Sequence, residues 1–475
     1  MLRPWKLELQ LVSSSSKALY LQIADAIIQD IQSGRLKSGN ALPGSRNLAT
    51  QLNINRNTVV DALNVLLAEG WLVSKERRGT FVADILPTAP SGANRNASTK
   101  SIAEEGIPKK KYSISIDDGH PDSKIAPVKE LARAYRQLFN RKARWQMMGY
   151  GDPMGELKFR KEIGQMLNHQ RGLKIHAHNI CITRGSQMAM YLVAQCMLQK
   201  GDYVLIENPG YKPAWKAFEN AGAKLLPVRI DEEGIVLSDV IRHLKSGKKI
   251  KALYTTPHRQ YPTTVTMSLS RRMELIGLSN RYGFTIIEDD YDNEFHFGYR
   301  PVLPISSFSE LKNYVYIGTM SKVVAPALRI GYLATNNTEL LDRIGTLRKI
   351  IDVQGDSIME QAVLQLIQDG TIRRHIKKAT LYYKNKRDYT VLLLKKYLNK
   401  KARYHIPEGG LAFWVVPLHE PDWQKISETL KSKGIKITTP DHYSYKTSAN
   451  GIRIGYGALS EAQLKEGIQT LALYL

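Results

Sequence analysis

The chain has 475 residues, 43% hydrophobic and 24% charged, an ordinary globular balance with room for two or three domains. Its formal net charge of +24 points to a polyanionic partner. Cys181 and Cys196 are too few for a disulfide framework or a four-ligand zinc site, no run approaches the roughly 18 apolar residues of a membrane span, and MLRPWKLELQ lacks a signal peptide's apolar core, so a soluble, cytoplasmic protein with no membrane partner is expected. Residues 1–84 carry ten basic against seven acidic side chains and 85–111 five against two, so most of the positive charge lies downstream.

In chain order, LYLQIADAIIQDIQSG places Leu19, Ile23, Ile27 and Ile31, with Ala24 and Ile28 alongside, on one helical face that Gly34 closes. LPGSRNLATQL reads as a short helix, and NINRNTVVDALNVLLAEG as a third, with Asn55 as N-cap and Val59, Ala62, Leu63 and Leu66 as its buried stripe. WLVSKERRGTFVAD then gives two short β-prone runs around Arg77, Arg78 and Gly79. Helix, helix, three-residue turn, helix and hairpin make a winged helix-turn-helix, whose second paired helix would enter the major groove of double-stranded DNA. Its first turn is Arg56, Asn57 and Thr58, and an arginine there forks onto guanine for about 1–3 kcal/mol of discrimination. Arg46, Arg77 and Arg78 would sit on phosphates, with Gly79 letting the wing backbone come close. ALYLQIADAI, LPGSRNLATQL, NRNTVVDALNVLLAEGWL and GTFV together resemble the GntR-type winged helix over nearly the whole head, although Gly44 and Asn55 stand where serine is common in that family.

Residues 85–111, rich in Pro, Ser, Ala, Asn and Gly, are expected to be a flexible linker between a DNA-binding domain at 1–84 and a body at 112–475. The body alternates short apolar runs, NICIT, YVLIE, KLLPVRI, KALYTT, FTIIED, YVYIGT and RIGYLAT, with helical stretches. This is an α/β pattern whose ligands collect at strand carboxyl ends. After NICIT, Gly185, Ser186 and Gln187 open a helix whose free N–H groups suit an anion. After FTIIE comes DDYDNEF, with Asp289 and Tyr291 at a strand end and without the glycine of a calcium loop, so no metal is expected. In GTMSKVVAPALRIGY, Thr319, Ser321 and Arg329 surround Lys322, enough to hold a phosphate beside an amine able to form a Schiff base. A phosphate, a lysine imine and a carboxylate for a ring nitrogen together call for pyridoxal 5′-phosphate, with Asp289 as the carboxylate.

YGDPMGELKFRKEI, ITRGSQMAMYL, ENPGYKPAW, TTPHRQYPT, IIEDDYDNEF, GTMSKVVAPALRIGY, PEGGLAFWV and GIRIGYG, in that order, resemble a fold-type I aminotransferase. Joined to the head, the architecture is similar to the MocR/GabR regulators across almost the entire chain. The resemblance implies large and small domains, the small one from about residue 340, and an internal aldimine at Lys322. It also implies Asp289 on the pyridine nitrogen, Tyr291 near the ring's phenolic oxygen, and Tyr211 against the ring. Ser186, Gln187, Ser321 and Arg329 would hold the phosphate, and Arg453 of GIRIGYG a substrate carboxylate. One departure is His258-Arg259-Gln260, where enzymes of this type carry an asparagine; Arg259 is a candidate for binding an acidic effector. The expected function is a homodimeric transcription regulator that senses an amino compound, or pyridoxal phosphate itself, through Lys322. The alternative is a working aminotransferase carrying a DNA-binding head.

Overall fold

The computed structural model describes residues 17–76, 78–87, 112–140, 145, 148–298, 302–446 and 449–475. The chain divides into two units, Met1–Lys109 and Lys110–Leu475. Of the expected linker, 88–111 lies outside the described residues, while Leu86 packs against the core of the first unit.

In that unit, α1 (Leu19–Gln32) buries Ile23, Ala24, Ile27 and Ile31. Leu19, the first residue of the helix, is instead 40% exposed. Next come α2 (Ser45–Leu52) and α3 (Arg56–Ala68), separated by three residues that begin with Asn53 in the left-handed region, φ 53°. The Asn55 side chain accepts the Asn57 N–H at 2.9 Å, a cap that contributes about 1 kcal/mol. Antiparallel β1 (Leu72–Lys75) and β2 (Gly79–Val82) close the unit, with Leu72 and Val82 joining the helical core.

The second unit runs β3 (Ile114–Ser115), α4 (Val128–Asn140), α5 (Leu157–Arg171), β4 (Ile180–Thr183), α6 (Ser186–Met197), β5 (Tyr203–Asn208), α7 (Lys212–Asn220), β6 (Lys224–Asp231), β7 (Gly234–Ile235), α8 (Leu237–Leu244), β8 (Ile250–Thr255), α9 (Leu269–Tyr282), β9 (Thr285–Asp290), β10 (Tyr314–Thr319) and β11 (Gly331–Ala334). It continues with α10 (Thr338–Ile351), α11 (Ser357–Gln368), α12 (Thr371–Leu398), β12 (Ala402–Tyr404), β13 (Ala412–Pro417), α13 (Trp423–Ser432), β14 (Ile435–Lys436), β15 (Ile452–Gly455) and α14 (Glu461–Leu471). All seven apolar runs of the sequence form strands of one eight-stranded sheet, ordered β4-β11-β10-β9-β8-β5-β6-β7. Every residue of β4, β10 and β11 is buried, the reason these strands read as continuous apolar runs.

β5, β6, β8, β9 and β10 are parallel, whereas β11 runs antiparallel to both β10 and β4. No α-helix separates β10 from β11, so the chain turns straight back. The start of β11, just after Arg329, therefore shares an edge with the carboxyl ends of β4, β9 and β10. In the C-terminal lobe, β12, β13 and β15 form an antiparallel sheet, and β14 pairs with β3 from the start of the unit. Leu340, Leu341 and Ile344 of α10 and Ala362, Val363 and Leu366 of α11 pack into the cores around the main sheet, so the C-terminal core draws on α12 onward together with Ile114, Ile116 and Phe295.

Candidate functional site

At the shared strand edge lies a cavity of about 240 Å³. Lys322 follows β10 and reaches into it, Nζ donating to the Gly119 carbonyl at 3.2 Å. The same nitrogen lies 3.7 Å from Asp292 Oδ1 and 4.9 Å from the centre of the Tyr291 ring. Burial lowers the Lys322 pKa and Asp292 opposes that shift. Asp289 sits on the neighbouring strand β9, in register with Ile317 of β10. Its Oδ2 accepts the Tyr254 hydroxyl at 2.9 Å, while Oδ1 is buried with no hydrogen-bond partner among the described residues. Burial pushes this carboxyl up to about 7 against the Tyr254 hydrogen bond, and the charges of Asp290 and Glu207 add to the rise.

Ser186 begins α6, and Arg329 precedes β11 with φ 52°, its Nη2 donating to the Arg184 carbonyl at 3.1 Å. Gly185 is required here: its φ is +82°, and a Cβ would lie 2.8 Å from Arg329 Nη2. Across the turn, Ser321 Oγ is buried without a partner among the described residues. Tyr211 caps the approach to α7, its ring edge-on to Tyr261 at 5.2 Å and its hydroxyl pushed up to about 12 by burial.

Lys322, Asp289, Tyr291, Tyr211, Ser186, Ser321 and Arg329, spread over 144 residues of sequence, thus line one cavity. Three other expected residues are not on its wall. Gln187 turns its side-chain amide to the Pro213 carbonyl at 2.9 Å. Arg453 is buried behind the Tyr261 and Tyr291 rings, donating to the carbonyls of Asp118 (2.9 Å) and Pro262 (3.0 Å) and to the Tyr291 hydroxyl (3.2 Å). Arg259 is buried too, with Nη2 donating to the Phe295 carbonyl at 3.2 Å. Gly409 makes this possible, because a Cβ there would lie 1.8 Å from Nη2. Sequence reasoning missed Tyr254, Asp292 and the Gly119 carbonyl. Asp292 stands inside the acidic run DDYDNEF, but nothing local marks Tyr254 as the partner of a residue 35 positions on.

In the first unit, Arg56 and Asn57 are exposed on the first turn of α3 and Thr58 is half-buried. Arg46 and Arg78 are exposed, and Arg56 Nε lies 3.4 Å from Ser45 Oγ. Gly79 adopts φ +107° with open space around it, and Arg77 lies outside the described residues. Among the described residues no group of three or more His, Cys, Asp or Glu side chains is arranged to hold a metal, and no helix is long and apolar enough to cross a membrane.

A doubly wound sheet with a lysine after one strand, a half-satisfied carboxylate on the next and an arginine-lined helix start defines a pyridoxal-phosphate-type aminotransferase body, which follows a winged-helix head in the chain. The chain belongs to the aminotransferase class I and II family, whose model matches residues 115–471, and residues 19–82 match the bacterial regulatory proteins of the gntR family. It is 28% identical over 468 residues to the uncharacterized HTH-type transcriptional regulator YdfD of Bacillus subtilis, covering 96% of each chain. It is 25% identical over 470 residues to the probable rhizopine catabolism regulatory protein MocR of Rhizobium meliloti, covering 95% of this chain and 93% of that one. The kynurenine aminotransferase of Pyrococcus horikoshii, crystallised with PMP, superposes with a TM-score of 0.72 at 27% identity over 77% of this chain and 90% of that one. The protein is therefore a GntR-type regulator of the MocR kind, fused to an aminotransferase-like domain of a pyridoxal-phosphate-dependent family.

The residues present fit that cofactor. Asp289 Oδ1 is free to accept a ring N–H, and the orphaned Ser321 Oγ and the Arg329 guanidinium line the same cavity as Ser186 at the helix start, where a phosphate would sit.

Proposed function

We propose that the body binds pyridoxal 5′-phosphate at Lys322 and that a small amino compound, or the cofactor itself, changes how tightly the head holds operator DNA. The observation that carries this reading is the pairing of Lys322 with an unsatisfied Asp289 carboxylate oxygen on one cavity wall. When bound, the cofactor supplies an aldehyde carbon that accepts amines and a pyridine ring that withdraws electrons once protonated. Asp289 keeps the ring nitrogen protonated through a charge-assisted hydrogen bond of about 1.5–3 kcal/mol, and Tyr254 fixes that carboxylate. Tyr211 would pack on the ring and Tyr291 would lie near its phenolic oxygen. Ser186 and Gln187 at the start of α6, with Ser321 and Arg329, would hold the phosphate, Gln187 through its main chain.

Arg453 uses three of its five N–H donors on Asp118, Pro262 and Tyr291 and has Nη2 3.9 Å from Asp292, so it would grip an effector carboxylate only where the Tyr261 and Tyr291 rings give way. Arg259 Nε, buried without a hydrogen bond among the described residues, is a second candidate for an acidic group. In the domain reading, 1–84 bind DNA through Arg46, Arg56, Asn57, Thr58, Arg77, Arg78 and Gly79, 85–111 link, and 112–475 sense; the working form is a cytoplasmic homodimer.

The purified protein should show a visible absorbance on adding cofactor that Lys322→Ala lacks. Titrating amines, amino acids and pyridoxal phosphate while following operator binding by anisotropy then identifies the effector class. A wild type that never takes up the cofactor ends the proposal. Arg453 beside Tyr291 also suits a transaminase; conversion of an amino acid and an oxo acid at substantial turnover, with operator binding unmoved, would favour an enzyme carrying a DNA-binding head.

A further inference from the structure

Asp292 belongs to the loop after β9, and its carboxylate is buried, with 1% side-chain exposure. Neither oxygen accepts a hydrogen bond among the described residues. Oδ1 faces Lys322 Nζ at 3.7 Å and Oδ2 faces Arg453 Nη2 at 3.9 Å. Arg453 is pinned by three hydrogen bonds and Arg259 by the Phe295 carbonyl, so of the nearby cations Lys322, on its four-carbon stem, is the one free to approach. A buried carboxylate this poorly satisfied is costly unless a charged partner closes on it.

We propose that Asp292 is the counter-ion that seats the Lys322 ammonium whenever that nitrogen is not bonded to the cofactor. This makes it a positioning residue for the state in which an amine has taken the lysine's place, and it rests on the role of Lys322 proposed above. With Lys322 bonded to the cofactor, Asp292 keeps only the Arg453 guanidinium and that of Arg259, which packs against the same Gly410; with Lys322 released, it gains a further buried charge partner. The two states then differ by one ion pair, the kind of differential interaction an effector needs to shift an equilibrium.

The pair also lies where the main lobe meets the C-terminal one. Phe295 accepts the Gly410 N–H and Phe297 donates to the Glu408 carbonyl, both at 2.8 Å. A Cβ on Gly410 would lie 2.5 Å from Asp292 Oδ2, so the C-terminal lobe's backbone rests directly against this carboxylate. Movement of Lys322 onto Asp292 is thereby felt at the seam.

The test uses the full-length, cofactor-free protein and cyanate as the amine probe, with carbamylation of Lys322 measured by peptide mass spectrometry across pH. The groups around Nζ are Asp292, Arg453 on β15, and Asp117 and Asp118 after β3, while Asp289 and His120 feel the same charge. Asp292→Asn removes support for the ammonium and leaves the Arg453 repulsion, so the reactivity midpoint should fall by about one pH unit or more. Asp292→Glu restores the charge and should hold the midpoint within about half a unit of wild type. An unchanged midpoint in Asp292→Asn overturns the proposal. Should that variant not fold, it is compared with Lys322→Ala/Asp292→Asn. The double variant should fold where Asp292→Asn alone does not, because the ammonium that the single variant leaves unsupported is gone; a double variant as unstable as Asp292→Asn overturns the proposal as well. Cofactor uptake is read separately from the visible absorbance of wild type, so if the protein takes up no cofactor, the midpoint still decides whether Asp292 supports the lysine ammonium.

Discussion

Asp289 stands with one hydrogen bond from Tyr254 where burial drives its carboxyl up to about 7, from an ordinary value of 3.8. A raised carboxyl pKa means that the folded protein holds a proton the unfolded chain has released. Between about pH 4 and 7 this residue therefore costs stability as pH rises, on the order of 1.4 kcal/mol per pH unit, and the penalty then stays level. Asp289→Asn removes the charge and with it the slope. Denaturant unfolding of the cofactor-free proteins should show the variant gaining on wild type from pH 5 to 7 and holding that lead at pH 8; a pH-independent difference would show that Asp289 is not the strained acid. The same substitution should weaken cofactor binding about 10- to 100-fold, by loss of a charge-assisted hydrogen bond of roughly 1.5–3 kcal/mol. Stability and cofactor affinity would thus move in opposite directions, as expected of a group placed for function.

At the scale of elements, in the proposed reading α3 and the β1–β2 wing divide the work of DNA recognition. Arg56 sits on the first turn of α3, where side chains of such helices reach base edges, and Arg78 in the turn of the wing, where it would meet phosphates. Arg56→Ala should lose about 1–3 kcal/mol of preference for operator over scrambled duplex. Arg78→Ala should weaken both duplexes alike and reduce the salt slope of binding by about 1. Anisotropy titrations at several salt concentrations distinguish the two, and an equal loss of preference and slope in both variants would remove the division. The elements themselves were legible because each signal was local: the α3 stripe with its Asn55 cap, and seven strands announced by apolar runs, fully buried in β4, β10 and β11. Lys322, Asp289 and Arg329 were legible because each follows, ends or leads into such a strand. Strand order was not, since it depends on packing between segments far apart in sequence, and so neither Tyr254 beneath Asp289 nor the antiparallel turn of β11 could be read. Arg259 was open between surface and site; its burial depends on Gly409, 150 residues away, which clears the space it fills.

For the whole molecule, the apolar surface of the body bears on assembly. Tyr150 is 91% exposed and Ile350 78%, with Ile351 and Val353 beside Ile350 also exposed. The Gly151 N–H donates to the Gln354 side chain, which brings the two apolar segments close enough for one partner surface to cover both. A monomer that left such apolar surface in water would be unusual, whereas a second copy would bury it around an aromatic anchor. A dimer would also present two winged-helix heads to two half-sites, and the second head would bind at an effective concentration set by the tether. Ile350→Asp places a charge on this surface, so sedimentation should show mass falling from dimer toward monomer. Affinity for a two-half-site operator should fall about 100-fold or more, while affinity for a single half-site should hardly change, because the head itself is untouched. If Ile350→Asp sediments as wild type does and binds the full operator equally well, this surface is not the dimer contact. If wild type itself sediments as a monomer, the coupling of two heads is not how this regulator reads its site.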